Sequence, residues 1–379
     1  MSSLSIRKGT TQTRDPARAA QELYDALYQP DIKFAVFYCA ADFELPALAS
    51  ELHKRFGDIN LVGCTTAGEI TPRGYLAGAL TGVSIASPRM DAATQLIPLE
   101  PFDSVAAGTN VTALLKGLGN RDGLPAGPTD TFGFMLIDGL AMQEEQVVSC
   151  IHQNLHGIEL IGGSAADDTR FGATHLYFGG KFHRNVAVLS VIRSDLPFIA
   201  FRTQHFVHSQ QRMVVTKADP AIRVVHEING LPAAREYARL LGMQLAELTP
   251  LIFATHPVVV RIGGQYFVRS IAKVNPDESL TFFCAIDEGI VLTIAKGVDM
   301  VENLQQAFEQ VRAAIGEPEL VLGCDCILRR LETEREGIKE RIGEIFTANN
   351  VIGFATYGEQ YNAMHVNQTF TGIAIGQRA

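Results

Sequence analysis

The sequence predicts an α/β protein in which β-α-β-β units repeat and pack together as two halves. Three observations carry that expectation. Short β-rich runs alternate with segments of helical period. The order run, helix, run, run returns three times along the chain. With 379 residues, the chain exceeds what one compact core ordinarily holds, so two domains or a duplication is expected.

The first unit opens with FAVFYCAAD (Phe34 to Asp42), whose aromatic and β-branched content predicts a strand. In FELPALASELHKRFG, Leu45, Leu48, Leu52 and Phe56 recur at helical spacing, and Gly57 supplies the stop. LVGCTTAGEI (Leu61 to Ile70) follows and then, after a Pro-Arg-Gly turn, GALTGVSIAS (Gly78 to Ser87). The second unit runs TFGFMLIDG (Thr131 to Gly139), the helix EEQVVSCIHQNL, then ELIGGSAADD and HRNVAVLSVI. The third runs ELVLGCDC (Glu319 to Cys326), one long helix through LRRLETEREGIKERIGEIF, then VIGFATYGEQ and NQTFTGIAIG. LTFFCAIDEGIVLTIAKG with VENLQQAFEQVRAAI reads as part of a fourth unit.

The third-position runs align as VGCTTAGE, IGGSAADD and IGFATYGE. Gly63 precedes the Thr81-Gly82 pair by 18 and 19 residues, and Gly353 precedes Thr371-Gly372 by the same interval; Gly162 to Ala187 spans 25. No unit could bury its sheet face alone, so the copies must pack on one another. A turn-rich connector, NRDGLPAGPTD, separates Gly119 from Thr131, and TKADP with the Asn229-Gly230 pair interrupts the pattern later. The break between halves is placed close to residue 215.

Composition narrows the function. Lys and Arg number 32 against 41 Asp and Glu, a net charge of −9, and no basic run reverses it locally. That argues against nucleic acid as a partner. MSSLSIRKGTTQTRDPARAAQ lacks the apolar stretch of a signal peptide, and no run approaches the ~20 apolar residues that cross a bilayer. The six cysteines are scattered, unlike a disulfide framework. The expectation is a cytoplasmic chain with reduced thiols and no membrane insertion. Self-association into a homo-oligomer is left open.

Taken together, VGCTTAGEI, IGGSAADD, VVTKAD with EINGLPAAREY, VNPDESL, GFATYGEQ and NQTFTGIAI resemble the FIST family, in the family's order from about Arg14 to Gly376. The resemblance implies a FIST N-terminal half over 14–215 and a C-terminal half over 216–379. It implies a sensory or ligand-binding module rather than an enzyme. One branch of the family consists of haem-binding nitric-oxide sensors that regulate a partner histidine kinase. On this resemblance, the expected function is a cytoplasmic sensor that binds haem b, detects nitric oxide and regulates a separately encoded histidine kinase. The alternative is a FIST module that binds a small organic ligand such as an amino acid.

The haem reading needs an iron ligand. Related FIST sequences often carry Gly-Trp where this chain has His205-Phe206, and a donor beside an aromatic suits a planar apolar group. His205 is therefore the candidate axial ligand, with Phe206 beside it and Arg329 and Arg330 facing the propionates. A satisfied structural histidine is the competing account of His205; His183, His175 and His365 are the remaining donors. Strand alternation sets His205 on the face of Phe201, Thr203 and Val207, and Phe206 on the other. There is no C-x-x-C-H, which sets covalent attachment aside.

The alternative ligand would sit at Gly63, Cys64, Thr65, Gly163 and Ser164, where small residues let backbone N–H groups approach an anion. A tight corner repeated by duplication explains the same residues without a ligand. Cys64 as a nucleophile lacks an identifiable base. Cys324 and Cys326 point the same way on a strand and could share a metal, yet no second Cys/His pair with zinc-like spacing follows. Glu69, Asp168 and Glu359 recur at one repeat position, which points to bonding of neighbouring backbone.

Overall fold

The computed structural model describes residues 4–121 and 124–376. The first unit comprises β1 (Ser5–Thr11), α1 (Pro16–Leu27), β2 (Ile32–Ala40), α2 (Leu45–Phe56), β3 (Leu61–Thr66), β4 (Glu69–Thr71), β5 (Gly74–Leu76) and β6 (Leu80–Ala86). The second repeats this order with β7 (Met90–Pro98), α3 (Ser104–Gly117), β8 (Thr131–Ile137), α4 (Glu144–Asn154), β9 (Glu159–Ser164), β10 (Leu176–Phe178), β11 (Lys181–His183) and β12 (Val186–Ser194). The third begins with β13 (Phe198–Thr203) and is then interrupted by an inserted domain. That insertion holds β14 (Phe206–Asp219), β15 (Val224–Ile228), β16 (Leu231–Pro232), α5 (Ala233–Leu241), α6 (Pro250–Thr255), β17 (Val258–Ile262), β18 (Gln265–Arg269), β19 (Ile271–Val274), β20 (Leu280–Phe282) and β21 (Val291–Gly297). The third unit resumes with α7 (Met300–Ile315), β22 (Pro318–Cys326), α8 (Ile327–Arg335), α9 (Lys339–Ala348), β23 (Val351–Thr356), β24 (Glu359–Tyr361), β25 (Met364–Val366) and β26 (Phe370–Gly376).

The expected β-α-β-β order is thus nested in a larger unit with a leading strand and helix. The leading helices share a signature that strand motifs do not reveal. Asp15, Asp103 and Asp299 each cap one, accepting backbone N–H bonds from its first turn. The fourth unit does not exist. LTFFCAIDEGIVLTIAKG supplies β20 and β21 of the inserted sheet, while VENLQQAFEQVRAAI lies in α7, whose stripe of Leu304, Phe308, Val311 and Ile315 packs on the third unit. The single helix expected after Cys326 is two, broken at Gly337 with φ of +65°. Within the expected connector, residues 122–123 lie outside the described residues.

Hairpins are exchanged cyclically. The sheet orders are β1-β6-β2-β3-β10-β11, then β7-β12-β8-β9-β24-β25, then β13-β26-β22-β23-β4-β5. Each unit therefore lends its hairpin to the edge of another unit's sheet: first to third, third to second, second to first. The inner faces meet in one core, to which the three sheets contribute Tyr38, then Phe134 and Leu136, then Leu322 and Phe354. Helices cover the outer faces: α1 and α2, α3 and α4, α7 and α9. Strands buried on both faces account for the near-continuous apolar runs of the sequence.

The repeated glycine also finds its cause here. Gly63, Gly162 and Gly353 stand opposite Phe37, Met135 and Gly323 in the three parallel strand pairs. A Cβ on Gly162 or Gly353 would lie 2.0 or 1.9 Å from the carbonyl oxygen of Met135 or Gly323, and one on Gly63 2.5 Å from the Phe37 ring. In the first and third units the next strand places Gly82 and Gly372 on this row; in the second it places Leu189, two residues beyond Ala187. The offset is longer because eleven residues, 165–175, join β9 to β10 where two suffice elsewhere. No helix among the described residues is long and apolar enough to cross a membrane.

Candidate ligand-binding cleft

Two small glycines and a long loop build a polar cleft where the three units meet. Its cavity is about 460 Å³ and is lined by Arg14, Asp42, Thr66, Ala67, Gly68, Glu69, Gly78, Asp168, Arg170 and Arg330, among others. The corner after β3 forms the floor. Gly68 (φ +127°) and Gly78 (φ +72°) leave room for guanidiniums: a Cβ would lie 2.9 Å from Arg330 Nη1 at the first and 2.3 Å from Arg14 Nη2 at the second. The 165–175 loop contributes Asp168 and Arg170, and the first turn of α8 contributes Arg330.

The charges are balanced in kind. Arg14 Nη1 meets Asp42 Oδ1 at 2.8 Å, and Arg330 bridges Asp168 (3.3 Å) and Glu334 (3.1 Å). Glu69 is buried; its Oε1 accepts from Thr66 Oγ1 at 2.6 Å and its Oε2 from the Ala79 N–H at 2.9 Å. Burial pushes its carboxyl up to about 7, against the pull of those two bonds and of Arg330 and Arg14. Glu359 repeats the device, accepting from Thr369 N and Oγ1 at 3.1 and 2.6 Å. The recurrent acid of the first and third copies therefore ties down backbone ten residues on. In the second copy the task moves to Asp167, which accepts from the Gly172 and Ala173 N–H groups, and Asp168 is released to Arg330.

The corner residues expected to cradle a ligand lie elsewhere. Gly63, Cys64, Thr65, Gly163 and Ser164 are in buried strands and none lines the cleft. Thr65 Oγ1 accepts from the His175 N–H, and Ser164 Oγ accepts from Gln360. Gly163 is small because the Phe354 ring fills its place: a Cβ would lie 2.6 Å from Phe354 Cζ. Burial raises the Cys64 thiol well above its ordinary range, the opposite of an activated nucleophile. Cys324 and Cys326 are likewise buried with raised thiols, and no group of three metal-ligating side chains occurs among the described residues.

His205 is fully buried, and both ring nitrogens are committed. Its Nδ1 receives Arg329 Nη1 at 2.8 Å, and its Nε2 lies 3.0 Å from Glu332 Oε2. A guanidinium only donates, so Nδ1 is the acceptor and the proton sits on Nε2, facing the carboxylate. Burial holds the ring below the ordinary histidine pKa, outweighing Glu332. Neither nitrogen offers a lone pair to iron. Arg329 is buried against Asp325 (2.7 Å), whose other oxygen bonds Tyr75, and Arg330 is held by its two carboxylates. His205, Phe206, Arg329 and Arg330 do not fit haem b. The expected alternation also fails here: β13 ends at Thr203, so His205 and Phe206 are both buried while Val207 is exposed.

His175 is placed differently. It is half-buried, its Nδ1 has no hydrogen-bond partner, and it lines an apolar groove of about 530 Å³ between α2 and the β10–β11 hairpin, with Leu45, His53 and Phe182. His183 bonds the Phe178 carbonyl, and His365 is buried beneath the inserted sheet. Arg14, Asp42 and Arg170 escaped the sequence reading. Asp42, the last residue of a predicted strand, was the available signal; nothing in spacing links it to Arg170 or Arg330.

Comparison with known proteins matches this architecture. The model of the FIST N domain matches residues 33–231 and that of the FIST C domain matches 233–362. The chain belongs to the FIST family, whose domains mark signal-transduction sensors. It is also similar to an uncharacterized protein of Methanocaldococcus jannaschii, 25% identical over 353 residues that cover 83% of this chain and 67% of that one.

Proposed function

We propose that this chain is a cytoplasmic sensory module that binds a small zwitterionic organic molecule, such as an amino acid, in the three-unit cleft and signals through a separate protein, a histidine kinase being the expected class. The observation that supports this reading is the cleft's pairing of three guanidiniums with three carboxyl groups. Arg330 and Arg170 suit a carboxylate; Asp168 and Asp42 suit an ammonium group. Binding is the whole task, with no catalytic step.

The output would run through α8. Arg330 is adjacent to Arg329, which holds His205, and His205 sits where the chain leaves the three-unit body for the inserted sheet. The returning chain docks at the same point, the Val298 N–H bonding the His205 carbonyl at 2.7 Å. A ligand carboxylate that draws Arg330 from Asp168 would load this hinge.

The test is calorimetric titration of the full chain with the individual amino acids. One binds saturably, and Arg330→Gln weakens it at least about tenfold. No saturable binding of any amino acid sinks the reading. A second reading, haem b with nitric oxide as the signal, is favoured by one feature: His175, kept neutral by burial and with an unpartnered Nδ1, lines the apolar groove. A Soret band that survives His205→Ala and collapses in His175→Ala would support it.

A further inference from the structure

Among the described residues, twelve buried side-chain atoms lack a hydrogen-bond partner, and seven of them lie where the inserted sheet covers the third unit's corner and hairpin. A buried polar atom left unpaired is costly, so a group of them marks a place where a polar ligand would be stabilised. Two arginines frame it. The Arg202 guanidinium lies over the Phe267 and Tyr361 rings, 4.6 and 5.7 Å from their centroids, makes no ion pair, and keeps Nη1 buried and unpartnered. Arg269, two residues beyond Phe267 on β18, is only 7% exposed, and its guanidinium reaches the His365 carbonyl at 3.5 Å. Neither has a carboxylate within 4.0 Å among the described residues. The nearby Glu144 and Glu145 are both taken by Arg223.

The remaining unpartnered atoms are Gln204 Oε1, Ser270 Oγ, Gln360 Oε1, His365 Nε2, Asn367 Oδ1 and Gln368 Oε1. The amide nitrogens of Gln360 and Gln368 donate to carbonyl oxygens, of Gly358 at 3.4 Å and of Ala254 at 2.9 Å. Those anchors fix which end of each amide is oxygen. The cluster thus combines cations seeking an oxyanion with carbonyl oxygens seeking a donor. Hydrogenphosphate has both faces; sulfate, without an O–H at neutral pH, has one.

We propose that the junction between the inserted sheet and the three-unit body is a second binding site, for a phosphate-type oxyanion that carries an O–H. Its oxygens accept from Arg202 and Arg269, and its hydroxyl donates to the amide oxygens. The site is independent of the cleft around Arg330. It is the corresponding corner of the third unit, covered by the insertion where the first unit's corner is open.

Equilibrium dialysis of the full chain with labelled inorganic phosphate, at fixed ionic strength, tests it. The expected result is one phosphate per chain, displaced by sulfate at least about tenfold less effectively than by phosphate. Arg202→Gln and Arg269→Gln each weaken binding at least about tenfold while their circular dichroism stays native, and Arg18→Gln, exposed on α1, binds as the parent does. Arg202 is the less buried of the two, so its variant keeps the test open if Arg269→Gln fails to fold. Equal competition by sulfate, parental binding in both variants, or equal loss in Arg18→Gln overturns the proposal. Glycerol 3-phosphate, whose phosphate is mainly a dianion without an O–H above its second pKa of about 6, binds more weakly than inorganic phosphate; equal binding overturns the role of the hydroxyl.

Discussion

His205 shows how a residue chosen for one chemistry is used for another. A histidine beside an aromatic, at the edge of a strand, reads as a metal ligand; here it is the neutral link between Arg329 and Glu332. Removing it leaves two buried charged groups short of a partner. His205→Ala should lower unfolding free energy by about 2–4 kcal/mol in denaturant titrations. Glu69 gives a pH signature instead. Its folded pKa, about 7, lies above its ordinary value of 4.5, so the native state holds a proton that the unfolded state releases first. Stability contributed here is intact below about pH 4.5 and declines as pH rises to about 7, by on the order of 3 kcal/mol. Relative to Glu69→Gln, the parent should therefore weaken across pH 5 to 7 in thermal melts; parallel curves would refute the buried, raised carboxyl.

At the scale of elements, the parallel strand pairs and their hairpins decide which glycines matter. Gly353→Ala drives a Cβ to 1.9 Å from the Gly323 carbonyl oxygen, a backbone atom that cannot step aside. It should destabilise by about 3 kcal/mol or more, measured by chemical denaturation. Gly57→Ala, with open space around it but φ +56° and ψ −124°, outside the left-handed helical well, should cost about 2 kcal/mol from backbone strain alone. Both glycines were legible in the sequence, the first as a recurring motif and the second as a helix stop. Their unequal cost was not, because it depends on a neighbouring strand supplied by the fold. The Asp caps of α1, α3 and α7 were legible in principle but lie outside the motifs that revealed the repeat.

At the scale of the whole molecule, the cyclic hairpin exchange ties the two family halves into one body. β4 pairs with β23, and β9 pairs with β24, so strands of the first half depend on strands near the C-terminus. A fragment ending at residue 215 loses the sheet that receives β4–β5 and the hairpin that closes β9. Expressed alone, it should show non-cooperative melting and weak hydrogen-exchange protection in β3, β4 and β9, whereas the full chain protects all three.

The repeat, its strands and most of its helices were written in local order, because apolar period and glycine position are properties of neighbouring residues. So was the family. The cleft was not: Arg14, Asp42, Glu69, Asp168, Arg170 and Arg330 come from three units, and only the exchange of hairpins brings them to one mouth. Likewise His205's partners lie 124 and 127 residues away, so no local pattern could distinguish a metal donor from a committed hydrogen-bonding link. The inserted sheet, folded from a segment that resembled a fourth copy, covers one of three related corners and leaves another open. Tertiary packing alone made that distinction, since which face of a strand is buried depends on what lands on it.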